Sequence, residues 1–370
     1  MILLNDFKRQ WEDQRESLQT AFETVGSSGW YILGSELRGF EEALARYWEM
    51  QYCVGVSSGL DAIELGLRIL GCKAGDYVLT TPVSAYATTL AIIKLGAVPV
   101  FVDTDRYGLL DLDRCAHTLE QRPEISFLLP VHLYGNALNL DKLSALRARF
   151  GCRIVEDCAQ SIGARFEGRN TGTVGGLAAT SFYPTKNLGA MGDGGAILTN
   201  SSEHDARARV LRDYGQEGKY RHGENGYNSR LDELQAALLR RALLPALPGW
   251  TARRRHIAAR YLSEICHPWV RGLGPPPGSD SCWHLFPVLV PPHKKSLFMS
   301  YLRNNEVSSG EHYPTPIPSQ RALQGVAHLI LDGCETANEI CRSEVSLPIH
   351  PYLTEAEVSH VIEVVNAWGD

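Results

Sequence analysis

From about residue 12 to residue 245 the chain alternates stretches whose apolar residues recur at helical spacing with short runs that are apolar on consecutive positions. The runs include Cys53-Val-Gly-Val-Ser, Tyr77-Val-Leu-Thr-Thr, Val98-Pro-Val-Phe-Val, Phe127-Leu-Leu-Pro-Val, Arg153-Ile-Val-Glu-Asp and Gly195-Ala-Ile-Leu-Thr. A strand that meets water on one face alternates polar with apolar residues, whereas a strand covered on both faces need not. The runs therefore predict an α/β fold, a mainly parallel sheet with helices on both faces. The pattern changes near Leu243-Leu-Pro-Ala-Leu-Pro-Gly. Beyond it come a helical stretch over 250–265, a Pro- and Gly-rich segment at 272–278, strand-like residues 284–290 and helical stretches over 295–304 and 354–368. This predicts a boundary near residue 246, with an N-terminal segment and large α/β domain over 1–245 and a smaller α+β domain over 246–370. No internal repeat or low-complexity tract interrupts either part.

Composition narrows the function classes. The 370 residues suffice for two cores, and 44% hydrophobic with 21% charged residues is an ordinary globular balance. A formal charge of −6 without a basic run argues against nucleic acid as a partner. The most apolar later stretch, residues 90–102, is interrupted by Lys94 and too short to span a bilayer, and the N-terminus lacks the order of a secretory signal. A soluble, cytoplasmic protein is the expectation. The nine cysteines form no C-x-x-C pair and read as reduced thiols, so neither a metal site nor a disulfide framework is expected.

Three segments carry candidate chemistry. Val155-Glu-Asp157-Cys-Ala-Gln160-Ser ends a buried strand, which places the Asp157 carboxylate at the edge where α/β proteins bind ligands. There it either caps a turn or keeps a ring nitrogen protonated by its charge. Ser181-Phe-Tyr-Pro-Thr-Lys186 runs into a glycine-dense loop, Gly189-Ala-Met-Gly-Asp-Gly. Lys186 is then either a solvated loop residue or a desolvated, nucleophilic amine. Val56-Ser-Ser58-Gly59-Leu60 turns from a strand into a helix, as an ordinary N-cap by Ser57 or Ser58 or as a seat for phosphate on free backbone N–H groups. No P-loop lysine follows, which disfavours a nucleoside triphosphate.

Together these residues resemble the DegT/StrS family of sugar aminotransferases, which belongs to the fold type I enzymes dependent on pyridoxal 5′-phosphate (PLP). The resemblance runs from Ser28-Gly-Trp-Tyr-Ile-Leu-Gly-Ser-Glu-Leu through Val131-His-Leu-Tyr-Gly and Val155-Glu-Asp-Cys-Ala-Gln-Ser to Ser346-Leu-Pro-Ile-His-Pro. It implies that Lys186 holds PLP as a Schiff base and shuttles a proton. Asp157 pairs with the ring nitrogen, Gln160 bonds the ring hydroxyl, and Ser58, Gly59, Leu60 and Ser181 hold the phosphate. In Gly226-Tyr-Asn228-Ser-Arg230, Asn228 is implied to reach the phosphate of a second subunit, in a homodimer with shared active sites.

The chain departs from the family pattern where an aromatic ring usually stacks on PLP. Ala85 stands there, with Tyr86 next, so either Tyr86 supplies the ring or the face is covered differently. Leu60 replaces the commoner Thr, and Pro318 stands where a His is common. Within the family the chain resembles the branch acting on nucleotide-linked 3-keto-6-deoxyhexoses, with Tyr183, Lys219, Arg230, His312 and Tyr313 as implied substrate contacts and L-glutamate as implied amino donor in a ping-pong reaction. From the residues alone, Lys219 also reads as a solvated side chain and His312-Tyr-Pro as a turn. A 4-keto sugar nucleotide, a cyclitol ketone and a non-catalytic regulatory role are the competing readings.

Overall fold

In a computed structural model that describes residues 1–369, two helices, α1 (Phe7–Ser28) and α2 (Ser35–Trp48), lead into an alternating series. The series is β1 (Tyr52–Val56), α3 (Gly59–Ile69), β2 (Tyr77–Thr80), α4 (Tyr86–Lys94), β3 (Val98–Phe101), α5 (Leu112–Gln121), β4 (Phe127–Leu129), α6 (Leu140–Phe150) and β5 (Arg153–Asp157). After the short strands β6 (Arg165–Phe166) and β7 (Arg169–Asn170) come β8 (Leu177–Ser181), β9 (Gly195–Thr199) and α7 (Ser202–Arg212). Among the described residues one eight-stranded sheet forms in the order β1-β9-β8-β5-β4-β2-β3-β15, its last strand, β15, being Leu329–Ile330. The runs that are apolar on consecutive positions are the strands, buried on both faces as their pattern predicts.

Only β9 runs antiparallel to its neighbours, β1 and β8. Parallel neighbours need a long crossover, and β8 and β9 are joined instead by the helix-free segment 182–194, which permits only a return. The consequence is a shared edge. Val56 and Ser181 both pair with Gly195, while Asp157 lies opposite Ala179 on the other side of β8. The ends of β1, β8 and β5 and the start of β9 thus open on one rim, and the 182–194 segment lies on it.

The hairpin strands β10 (Gln216–Gly218) and β11 (Arg221–His222) precede α8 (Glu233–Leu238), which continues through a π-turn, Leu239–Leu243, into α9 (Leu244–Glu264). The helical run is therefore continuous across residue 246, where the sequence pattern changes. Pro245 falls in the first turn of α9, where a missing N–H is harmless, and the helix carries on through Pro248. Next come β12 (Arg271–Gly272), β13 (Ser279–Asp280), β14 (Phe286–Leu289), α10 (Lys295–Asn304), α11 (Glu335–Ser343), β16 (Glu344–Leu347) and α12 (Glu355–Asn366). The antiparallel sheet β12-β14-β16 shares a core with α9, α10 and α12, the expected α+β unit. That unit is stitched to the large sheet more closely than the sequence suggests. β15 adds to the edge beside β3, β13 pairs with β6, and Ile317, Leu323 and Ala337 sit in the core of the large sheet. Among the described residues no helix is long and apolar enough to cross a membrane.

One buried pair braces the strand that carries Asp157. Glu156, its neighbour on β5, accepts from His132 Nε2 at 2.9 Å and from the backbone N–H groups of Gly172 (2.9 Å), Val174 (2.8 Å) and Gly175 (2.6 Å). The Leu138 N–H points at His132 Nδ1, so the ring proton sits on Nε2 and is donated to Glu156. Burial acts to raise the Glu156 pKa, but the bonds from His132, Gly175 and Gly172 outweigh it and hold the carboxyl below its ordinary value. A depressed carboxylate pKa stabilises the fold above the ordinary glutamate range and loses that contribution as pH falls through the lower native value. Glu156→Gln is accordingly expected to lower unfolding free energy by about 2–3 kcal/mol at neutral pH. The gap from wild type should narrow as denaturant melts are repeated below pH 4.5; a gap constant with pH would contradict this account.

Candidate active site

The rim encloses a cavity of about 400 Å³. At its base, Asp157 is buried and accepts from the Thr88 hydroxyl at 2.8 Å and the Ala159 N–H at 3.1 Å. Burial raises its pKa, opposed by the Ala159 and Thr88 bonds and by the charge of Lys186. Among the described residues it forms no ion pair. A buried carboxylate with donors on one side and no cation in contact suits a protonated ring nitrogen.

At the opposite end, β1 turns into α3 through Ser58, the N-cap whose hydroxyl accepts from the Asp61 N–H at 3.1 Å. The N–H groups of the first turn face the cavity beside Ser181, a ready anion seat. Two glycines are needed for this closeness. A Cβ on Gly59 would lie 2.6 Å from Ser181 Cβ, and one on Gly195 would overlap the carbonyl group of Ser58.

Lys186 enters from the segment between β8 and β9. The segment folds back on itself, with Lys186 N–H bonded to Tyr183 O at 2.8 Å and Ala190 N–H to Phe182 O at 2.7 Å, and Gly189 passes so close to the Pro184 carbonyl that a side chain there has no room. The side chain is half-buried with its amine inside the cavity, and desolvation pushes its pKa down to about 8 against the opposing pull of Asp157. It is a pre-activated nucleophile.

Gln160 lies on the side wall, its Oε1 accepting from the Tyr134 N–H at 2.7 Å and its Nε2 donating to the Tyr313 hydroxyl at 3.2 Å. Leu60, Tyr183, His312 and Tyr313 also line the cavity, so ten of the expected site residues meet in one place. Four do not. Tyr86 is the correction to the expected aromatic cover: Ala85, Ala87 and Thr88 face the cavity, whereas the Tyr86 side chain packs into the core under the sheet. Neighbouring residues on a helix point about 100° apart, so a ring one position late cannot take the place of position 85. Asn228, Lys219 and Arg230 lie outside this cavity. Arg230 pairs with Asp213 at 2.7 Å and donates to Asn228 Oδ1 at 2.5 Å, and Lys219 is exposed beside the Tyr220 ring.

The sequence reading missed Thr88 and His284. Thr88 follows Ala85 by one helical turn, a spacing that could have revealed it. His284 has no local signal. Its Nδ1 faces Asn187 Oδ1 at 3.1 Å, and burial together with the charge of Lys186 holds its pKa well below the ordinary histidine value. His312 is pushed down to about 4 for the same reasons. Both rings are therefore neutral, and the cavity offers the Lys186 amine, the carboxylates of Asp157 at its base and Asp193 on its lining, an anion seat and several neutral hydrogen-bonding groups.

Comparisons with known proteins agree with this inventory. The sequence pattern of the DegT/DnrJ/EryC1/StrS aminotransferase family matches residues 12–366. The chain is 40% identical to a dTDP-3-amino-3,4,6-trideoxy-alpha-D-glucose transaminase of Streptomyces venezuelae, over 99% of this chain and 95% of that protein. It is 38% identical to a dTDP-3-amino-3,6-dideoxy-alpha-D-galactopyranose transaminase of Aneurinibacillus thermoaerophilus, over 100% of both. The crystal structure of S. venezuelae DesV, captured with a reaction intermediate, superposes with a TM-score of 0.94 at 40% identity, covering 99% of this chain and 98% of that one.

The lowered pKa of Lys186 makes a kinetic prediction. Only the neutral amine attacks an aldehyde, so uptake of PLP by the stripped protein, followed by visible absorbance, is expected to speed up roughly tenfold per pH unit below 8 and then level off. A rate still climbing at pH 10 would show an ordinary, solvated lysine. Lys186→Ala should lose the visible band altogether.

Proposed function

Because the chain belongs to the DegT/DnrJ/EryC1/StrS aminotransferase family, whose enzymes depend on PLP, we propose that it moves an amino group from L-glutamate to a nucleotide-linked 3-keto-6-deoxyhexose. The observation that carries the reading is one cavity holding the buried Lys186 amine, the unpaired Asp157 carboxylate and the N-terminus of α3. These groups fit PLP part by part: an amine for its aldehyde, a carboxylate for its ring nitrogen and free N–H groups for its phosphate. When bound, PLP supplies the electron-accepting ring that carries the amino group between the two substrates.

The chain's own residues then divide the work. Ser58, Gly59, Leu60 and Ser181 anchor the phosphate, and Asp157, steadied by Thr88 and Ala159, keeps the ring nitrogen protonated. Gln160 bonds the ring hydroxyl from the wall it shares with Tyr313. Lys186 anchors the cofactor and, once displaced, moves a proton at the substrate carbon, for which a pKa of about 8 is well placed. Ala85 and Ala159 line the cavity with small side chains, which would leave room beside the cofactor for a bulky acceptor. Tyr183, His312 and Tyr313 contact that acceptor, and phenol and imidazole groups suit sugar hydroxyls better than carboxylates. The two relatives with 3-amino-deoxyhexose names support a ketone at C3.

A second copy of the chain completes the site. Phe22 (62% exposed), Trp30 (63%), Tyr31 (60%) and Met191 (55%) leave large apolar side chains in solvent around α1 and the cavity it forms with α8. Asn228, Lys219 and Arg230, which do not reach their own chain's cavity, reach the partner's phosphate and diphosphate sites in such a homodimer. A non-catalytic scaffold on this fold has no use for Lys186 and Asp157 buried together.

Incubating the PLP-loaded protein with L-glutamate and a panel of keto-sugar nucleotides, with product mass as the readout, is expected to show amination of 3-keto-6-deoxyhexoses. Preference for a 4-keto sugar nucleotide or a free cyclitol ketone would overturn the substrate assignment. The shared site has its own test. Lys186→Ala and Asn228→Ala chains, unfolded and refolded together in equal amounts, should regain about a quarter of wild-type sites, because half the dimers are mixed and each mixed dimer has one intact site. Activity no higher than that of Asn228→Ala alone would contradict sharing.

A further inference from the structure

Strand β16 carries Glu344 and Ser346 on one face, two residues apart, both fully buried. Neither takes part in the chemistry assigned above. Glu344 Oε2 accepts the backbone N–H of His312 at 2.6 Å, and its Oε1 accepts the Ser346 hydroxyl at 2.5 Å. The register is pinned by reciprocal backbone bonds between Gly310 and Ser346, of 3.1 and 2.8 Å. Ser346 Oγ also lies 2.9 Å from His312 Nδ1. With its single proton committed to Glu344, Ser346 can only accept from the imidazole, so the ring proton sits on Nδ1. His312 Nε2, which has no protein partner among the described residues, is left as a lone-pair acceptor on a ring that lines the cavity.

We propose that Glu344 and Ser346 are positioning residues that fix His312 as the Nδ1–H tautomer, so that Nε2 accepts a hydrogen bond from a hydroxyl of the acceptor sugar. The inference rests on the reading of His312 as a substrate contact and adds the device that sets the direction of that contact. A buried acceptor with a fixed lone pair discriminates, because an analogue without the hydroxyl leaves it unpaired.

The same chain of bonds can reverse. Burial raises the Glu344 pKa to about 7, against the bonds from His312 N–H and Ser346 and the charge of Lys295. Around Glu344, Lys295 is paired with Glu311 at 2.6 Å, and burial pushes the Tyr134 and Tyr313 phenols and the Cys341 thiol up. A protonated Glu344 donates to Ser346, whose hydroxyl then donates to Nδ1 and moves the ring proton to Nε2.

The test reads the tautomer directly, by nitrogen NMR of the PLP-loaded full-length protein labelled in histidine, with His312→Gln to assign the signal. At pH 8.5 the wild type is expected to show an unprotonated Nε2, switching with a midpoint near pH 7. In Glu344→Gln the amide oxygen must still accept the His312 N–H, which turns the amide NH₂ toward Ser346 and yields Nε2–H at every pH. That variant should raise KM for the keto-sugar nucleotide about tenfold, with kcat changed far less. Ser346→Ala removes both the Nδ1 contact and the hydroxyl bond to Glu344 and should blur the tautomer preference, and Ser346→Thr should restore it. A wild-type ring carrying its proton on Nε2 at pH 8.5 would overturn the relay. A switched tautomer in Glu344→Gln with unchanged KM would overturn the hydroxyl contact, and with it the placing of His312 at the substrate.

Discussion

An amine and a carboxylate must be buried in the same small space without closing on each other, and most of this architecture serves that constraint. In a cavity of low polarity, Lys186 and Asp157 attract strongly, and direct contact would leave a neutralised pair with no appetite for a cofactor. The fold avoids that outcome by engaging Asp157 from behind. Thr88 and the Ala159 N–H hold its oxygens, and Ser84 in turn bonds the Thr88 hydroxyl at 2.8 Å, so the carboxylate is fixed before any cation arrives. Lys186 meanwhile hangs from a segment whose own turns set its position. The result is an amine with depressed basicity and a carboxylate with a vacancy for positive charge.

The sheet topology is what brings these groups together. Were β9 parallel to β8, a crossover helix would carry residues 182–194 away from the rim, and Lys186 with them. The antiparallel return keeps the segment at the sheet edge, and Gly195, where it rejoins the sheet, lets the Ser58 turn lie against β9. The C-terminal unit contributes from the other side. Its β16 brings up His312 through Ser346 and Glu344, so one wall of the cavity is held by the smaller unit while the end that carries Asp157 and Ser58 is built by the larger.

How much of this could be read from the sequence follows from how local each signal is. The strands with consecutive apolar residues were legible because burial on both faces demands them. β8 was harder, since Leu-Ala-Ala-Thr-Ser is made of small residues and the aromatic pair Phe182-Tyr183 lies beyond its end. β15 was invisible, because two residues acquire strand geometry only by pairing with β3. In the site, Asp157, Gln160, Ser181 and Lys186 stood in readable motifs. Thr88, His284 and the Glu344–Ser346 pair matter through partners 69 to 97 residues away or through a chain of bonds, and Tyr86 was misplaced by a single helical position. The prolines at 245 and 248 suggested a boundary, yet a π-turn and a first-turn position let one helical run pass through them.

The central claim is that Lys186 and Asp157 together make a transaminating site, and absorbance of the PLP-loaded protein tests it most directly. Adding L-glutamate alone should bleach the visible band of the wild type, and a keto-sugar nucleotide added afterwards should bring it back, with Asp157→Asn responding far more slowly to both. A visible band indifferent to glutamate, or an Asp157→Asn protein cycling as fast as wild type, would contradict the account.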